Sequence, residues 1–198
     1  MPRKLWGEEW WSGGFYELVL AFSAEDKSLA TAMQVLWELP ELDGCYADRS
    51  LPLHRQQRLP PDIPDTLGWL YGTANVPNAA LIPCGTFTMR DINETDDASG
   101  PLWLRLCLPM SALGHLDSRI GGYPFGSGTG RAWREPLDQW LSGVAIRIHA
   151  QAPFLAGAVG FEVSSEDFWA AGDRAHPDFA MLRPDGDQVR YFPSTYQR

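Results

Sequence analysis

The chain has 198 residues, long enough to bury a substantial core in one domain, and 44% of them are hydrophobic, as in an ordinary globular protein. A net charge of −9 and a pI near 4.8 argue against nucleic acid and anionic membranes as partners and suit a basic one. No apolar run approaches membrane-spanning length, and the N-terminus, MPRKLWGEEWW, has no apolar h-region, so a cytoplasmic protein without a signal peptide is expected.

Trp6, Trp10 and Trp11 crowd the first fourteen residues. They predict an arm pinned onto the domain, with a partner-binding lip as the alternative. FYELVLAF, residues 15–22, reads as a strand covered on both sides. Tyr16, Leu18, Leu20 and Phe22 share one face, while Phe15, Glu17, Val19 and Ala21 share the other. Ser23 with Asp26 resembles a capping box. Leu29, Ala32, Met33, Leu36 and Trp37 then follow at helical spacing, and Pro40 stops the helix. Gly44 opens a short predicted strand, CYADR.

Five prolines make residues 51–80 an irregular connection, with one short strand or helical turn around TLGWLYG. A hairpin follows, with strands over 82–90 and 101–109 and an acidic loop between them. A second helix is expected from Pro136, with Leu137, Trp140, Leu141, Val144, Ala145 and Ile148 as its stripe. Pro153 ends it and Gly157 opens the strand AVGFEVS. Ser164 or Ser165 caps a short helix, EDFWAA, and FAMLR-PDGD-QVRYF forms a final pair of strands around a turn.

The expected class is therefore α+β, a largely antiparallel sheet with two main helices on one face. PELDG and PFLAG leave the two helices alike, which predicts duplicated β-α-β-β units at about 15–95 and 101–195 of a single domain, 1–198. That order is similar in topology to the duplicated ligand-binding domains of the gyrase-inhibitor-like class. No motif of that class is present, so neither function nor site residues transfer.

The most unusual stretch is residues 121–134, GGYPFGSGTGRAWR. Gly121 and Gly126 have the outer spacing of a phosphate-binding loop, but Ser127 stands where Lys is needed. Gly126, Gly128 and Gly130 do not fit a dinucleotide fingerprint. What remains is close backbone approach at Gly122, Gly126, Ser127 and Gly128 beside a helix N-terminus. Arg131 and Arg134 add forks for an anion, and Tyr123, Phe125 and Trp133 add planar surface. A mobile surface loop is the plainer account of the same stretch.

A second candidate lies on the strands. Glu17, Arg105 and Glu162 each place a charge on an apolar strand, and with Trp103 they would share one sheet face. That face reads as a binding surface or as a solvated face with cross-strand ion pairs.

The four histidines lack metal-ligand spacing, and Asp91, Asn93 and Thr95 lack the glycine and glutamate of a calcium loop. Cys45, Cys84 and Cys107 read as reduced, buried thiols. No metal, cofactor or catalytic set is assigned. The leading expectation is a non-catalytic binding protein, such as a bacterial acidic inhibitor or immunity-type protein masking a basic protein partner. The alternatives are a small anionic ligand, or an enzyme using the glycine-rich loop.

Overall fold

The computed structural model describes residues 7–24, 27–51, 53–60, 68–77, 80–90, 100–120, 128–172 and 176–195. The strands are β1 (Phe15–Phe22), β2 (Leu42–Tyr46), β3 (Leu70–Val76), β4 (Ala80–Arg90), β5 (Leu102–Pro109), β6 (Ala156–Phe161), β7 (Phe179–Asp185) and β8 (Gln188–Phe192). The helices are α1 (Ser28–Glu38), α2 (Met110–Leu116), α3 (Gly128–His149) and α4 (Ser165–Ala171). The class is α+β, as the sequence predicts.

All eight strands form one sheet in the order β2-β3-β4-β5-β1-β6-β7-β8, and every pairing is antiparallel. β1 lies at the centre between β5 and β6, which explains why seven of its eight residues are buried. Its even-numbered residues, with Leu104, Leu106 and Leu108 of β5, meet the stripes of α1 and α3 in the main core. Its odd-numbered residues Val19 and Ala21 join Trp103, Phe168 and Met181 in a second core on the opposite face. Two cores on two faces account for a strand without a polar side.

The chain makes two crossovers. From β1 it passes with α1 over three strands to β2; from β5 it passes with α3 over one strand to β6. β1 and β5 are antiparallel and the crossovers leave in opposite directions over the same face, so both have the same hand. The expected duplication is not confirmed. The meander β2-β3-β4 runs inward from an edge, whereas β6-β7-β8 runs outward from the centre, so no two-fold axis of the sheet relates the halves.

Several elements differ from expectation. α1 begins at Ser28 with Lys27 at its N-cap and no side-chain cap, five residues after Ser23. β2 begins at Leu42 and contains Gly44 rather than starting from it; its ladder shifts register between Gly44 and Tyr46. Gly44 and Gly72 stand opposite each other beneath the Trp37 ring, and a β-carbon on Gly72 would lie 2.3 Å from that ring. β3 is a full seven-residue strand, beginning within the TLGWLYG stretch where one short strand or helical turn is expected and running on beyond it. α2 was not expected at all. α3 starts at Gly128, so Pro136 lies inside the helix instead of at its first position. The ring there removes one helical hydrogen bond, a cost that packing of Trp133 and Leu137 on either side offsets.

The short helix follows its sequence signal: Ser164 Oγ accepts from the Asp167 N–H at 3.0 Å, and Gly172 ends the helix at a φ of 55°. Trp37, Leu36 and Leu141 are buried, but Trp140 is only half-buried at the margin of the core.

Candidate functional site

The glycine-rich stretch divides at Gly128. Gly122, Tyr123, Phe125, Gly126 and Ser127 lie outside the described residues, as do Asp91, Asn93 and Thr95 of the acidic hairpin loop. Gly128 opens α3, and the rest of the stretch is helix. The helix separates its two arginines. Arg131 is exposed and faces Glu135 one turn on, at 4.0 Å. Arg134 is 2% exposed, and it is no loop residue as the sequence suggested. Its Nε donates to Tyr16 Oη at 3.3 Å and its Nη2 to the Asp178 carbonyl at 2.6 Å. The Tyr16 hydroxyl in turn donates to the buried Asp138 carboxylate. Trp133 packs edge-on against Tyr16, ring centroids 5.5 Å apart. The two arginines therefore do not form a paired anion clamp. Arg134 belongs to an internal polar network that fixes α3 on β1 and on the segment before β7.

Beside this network is a cleft of about 330 Å³ between α2, α3 and the end of β3. Val76, Leu113, Ile120, Trp133, Pro136 and Leu137 supply apolar walls, with Asp117 and Arg119 also lining it. Arg119 holds Asp117 through two side-chain nitrogens and its own backbone N–H. Those hydrogen bonds push the Asp117 carboxyl down to about 2.

The second candidate set comes together in part. Glu17, Trp103 and Arg105 share the face opposite α1 and α3. Around these residues the face is neither open nor solvated, although Arg105 and Glu17 do form the expected cross-strand ion pair. Glu17 is 3% and Trp103 1% exposed. Arg105 Nη1 meets Glu17 Oε1 at 2.8 Å, and Arg105 Nη2 donates to the Val163 carbonyl at 3.0 Å. The Val163 N–H returns to Glu17 Oε1 at 2.8 Å. Arg105 and Glu17 thus stitch the strand pair β1–β5 to the chain that leaves β6. Burial raises the Glu17 carboxyl above its ordinary range, with Arg105 and the Val163 N–H pulling the other way. Glu162 is not part of this set: it follows the end of β6 and is exposed, with a φ of 43°. Trp103 is covered by α4 through edge-on contacts with Phe168 and Trp169.

The further titratable groups Cys84, Cys107 and His149 are buried. Burial raises the Cys84 and Cys107 thiols, which keeps them protonated and weakly nucleophilic. His149 Nε2 contacts the Gly186 carbonyl and its Nδ1 accepts from the Phe154 N–H. Among the described residues no group of three metal-ligating side chains converges.

Comparison with protein families, curated proteins and solved structures found no match.

The sequence reading missed an aromatic cluster on the open part of the second sheet face. Trp11, Phe15, Trp69, Tyr71 and Phe87 are all partly exposed and lie within 4.6–6.4 Å of one another in successive ring pairs. Gly85 is its floor: a β-carbon there would lie 2.9 Å from the Trp69 ring and 3.4 Å from Trp11. The signal was present in the period-two spacing of Trp69 and Tyr71, and of Gly85 and Phe87. The arm that carries Trp11 is pinned, as expected: Met110 N–H donates to Gly14 O and Ser111 N–H to Ser12 O.

Proposed function

We propose that this chain is a non-catalytic binding protein that masks a basic protein partner, in the manner of an acidic inhibitor or immunity-type protein. The observation that carries the reading is the placement of charge. Among the described residues Glu17, Asp138 and Arg134 are buried, and the partly buried Arg105 pairs with Glu17; these four charges cancel and contribute nothing to the net charge of −9. The excess negative charge lies outside this set, where it steers a cationic partner. No helix among the described residues is long and apolar enough to cross a membrane.

The test is direct binding of the full chain to a panel of small cationic and anionic proteins, by analytical ultracentrifugation at low and physiological salt. A basic partner gives a complex that outlasts the rise in salt. Absence of any complex with a cationic protein at low salt overturns the reading.

A second reading is a small anionic ligand in the α2–α3 cleft, whose size suits one. The only cation among its described lining residues is Arg119, already bound to Asp117, so the ligand would have to displace that carboxylate. A thermal-shift screen of anionic metabolites with wild type and Arg119→Ala tests it; no shift, or one indifferent to the substitution, rejects it.

A further inference from the structure

The aromatic cluster already holds two cations of this chain. The Arg49 guanidinium lies 5.3 Å from the Trp11 ring centroid, and that of Arg105 lies 5.9 Å from Phe87. The Trp69 and Tyr71 rings are within 9° of parallel with centroids 6.1 Å apart, and Trp11 stands at 88° and 90° to them. Rings at right angles present both faces and edges to one small volume, and a ring face attracts a cation. Arg105 is anchored from within by Glu17 and the Val163 carbonyl. Arg49 has no such anchor among the described contacts: it is half-exposed and follows Asp48 in the segment after β2.

We propose that this cluster is the seat for an arginine side chain of the basic partner, and that Arg49 occupies it in the free protein. The inference rests on the basic-partner reading and names its docking surface. Arginine fits better than lysine because a planar, weakly hydrated guanidinium stacks on aromatic faces. The stand-in within the chain is itself a guanidinium. The negative charge of the protein brings the partner close, and the rings select the side chain. Gly85 is then a binding requirement as well as a packing one, because a side chain there would displace the Trp69 ring.

The experiment titrates the full chain with blocked hexa-arginine, hexa-lysine and hexa-glutamate peptides. Tryptophan fluorescence and calorimetry report binding at two salt concentrations. Hexa-arginine is expected to bind more tightly than hexa-lysine, and hexa-glutamate not at all. Trp11→Leu and Trp69→Leu should each weaken hexa-arginine binding by about 3- to 30-fold, the span of a surface to partly desolvated cation–π contact. Arg49→Ala leaves every ring in place and should tighten binding, since the internal competitor is gone. Arg190→Gln, at an exposed position of β8, removes the same unit of positive charge elsewhere and should leave the ratio of arginine to lysine binding unchanged.

Hexa-arginine binding that ignores Trp11, Trp69 and Arg49 and follows salt alone overturns the seat while leaving the basic-partner reading standing. Equal binding of hexa-lysine with the same indifference does likewise. Failure of every cationic peptide and protein to bind overturns both. If a tryptophan variant unfolds, Arg49→Ala decides, because weaker or unchanged affinity in that variant contradicts the proposal.

Discussion

Arg105 and Glu17 are worth different amounts depending on which is removed. Arg105→Leu leaves a carboxylate in an apolar setting with the Val163 N–H as its remaining strong partner, and should cost about 3–5 kcal/mol in urea melts. Glu17→Gln in the same chain should restore part of that loss, because the buried charge is gone. The pair also sets a pH dependence. Burial raises the Glu17 carboxyl in the folded protein, so the native state holds this proton more tightly than the unfolded chain does. Its contribution to stability is therefore largest at low pH and declines as pH rises from the ordinary carboxylate range through the raised value. Asp117, held down to about 2 by Arg119, acts in the opposite sense: its contribution is present above the ordinary carboxylate range and lost on acidification towards that value. Melts of wild type and Glu17→Gln between pH 4 and 7, at roughly unit steps, separate the two, because only the wild type should carry the decline with rising pH. Arg134→Ala, which as a loop residue would affect binding alone, should instead destabilise the fold, since it removes the partner of Tyr16 and of the Asp178 carbonyl.

At the scale of elements, strong periodicity was legible and weak periodicity was not. β1, the β4–β5 hairpin, the α1 stripe and the Ser164 cap could all be read because side-chain spacing matched one period over a whole element. α3 was half legible. Its stripe from Leu137 to Ile148 is apolar, but its first nine residues bury Trp133 and Arg134 and also carry two glycines and an internal proline. Those local preferences oppose a helix, and tertiary packing overrides them. α2 has only seven residues, too few to display a period. β3 was legible only as a short strand or turn around TLGWLYG, because its glycine and asparagine lower strand propensity, while the Trp37 ring demands that glycine at position 72. The same packing makes a prediction. Trp37→Ala should cost about 3–5 kcal/mol, as for a fully buried ring, and half-buried Trp140→Ala distinctly less. Equal losses in denaturant melts would mean that the margin of α3 is as tightly packed as its centre.

For the whole molecule, sequence order misleads about spatial order. The two helices look alike in their stripes and exits, yet one crossover spans three strands and the other spans one. Nothing local encodes how far a crossover travels; it follows from which strand edges the rest of the chain leaves open. The candidate site suffered similarly. Trp11, Trp69, Tyr71 and Phe87 come from three separated segments, and only the β3–β4 register and the docked arm bring them together.

The central position of β1 has a consequence for how the protein is made. β1 precedes the other described strands in the chain, yet it pairs only with strands beginning at Leu102 and Ala156. At about 5–20 residues per second, its last neighbour arrives roughly ten seconds later. Until β5 is made a nascent chain carries LVLAF with both edges unpaired, and until β6 is made one edge stays open, a template for association with other chains. A chain terminated after Pro153, which keeps β1 through β5 and both large helices, should therefore sediment with the insoluble fraction when expressed, while the full chain stays soluble. A soluble, monomeric truncation would mean that β1 shelters its outer edge without β6, and that birth order imposes no hazard on this fold.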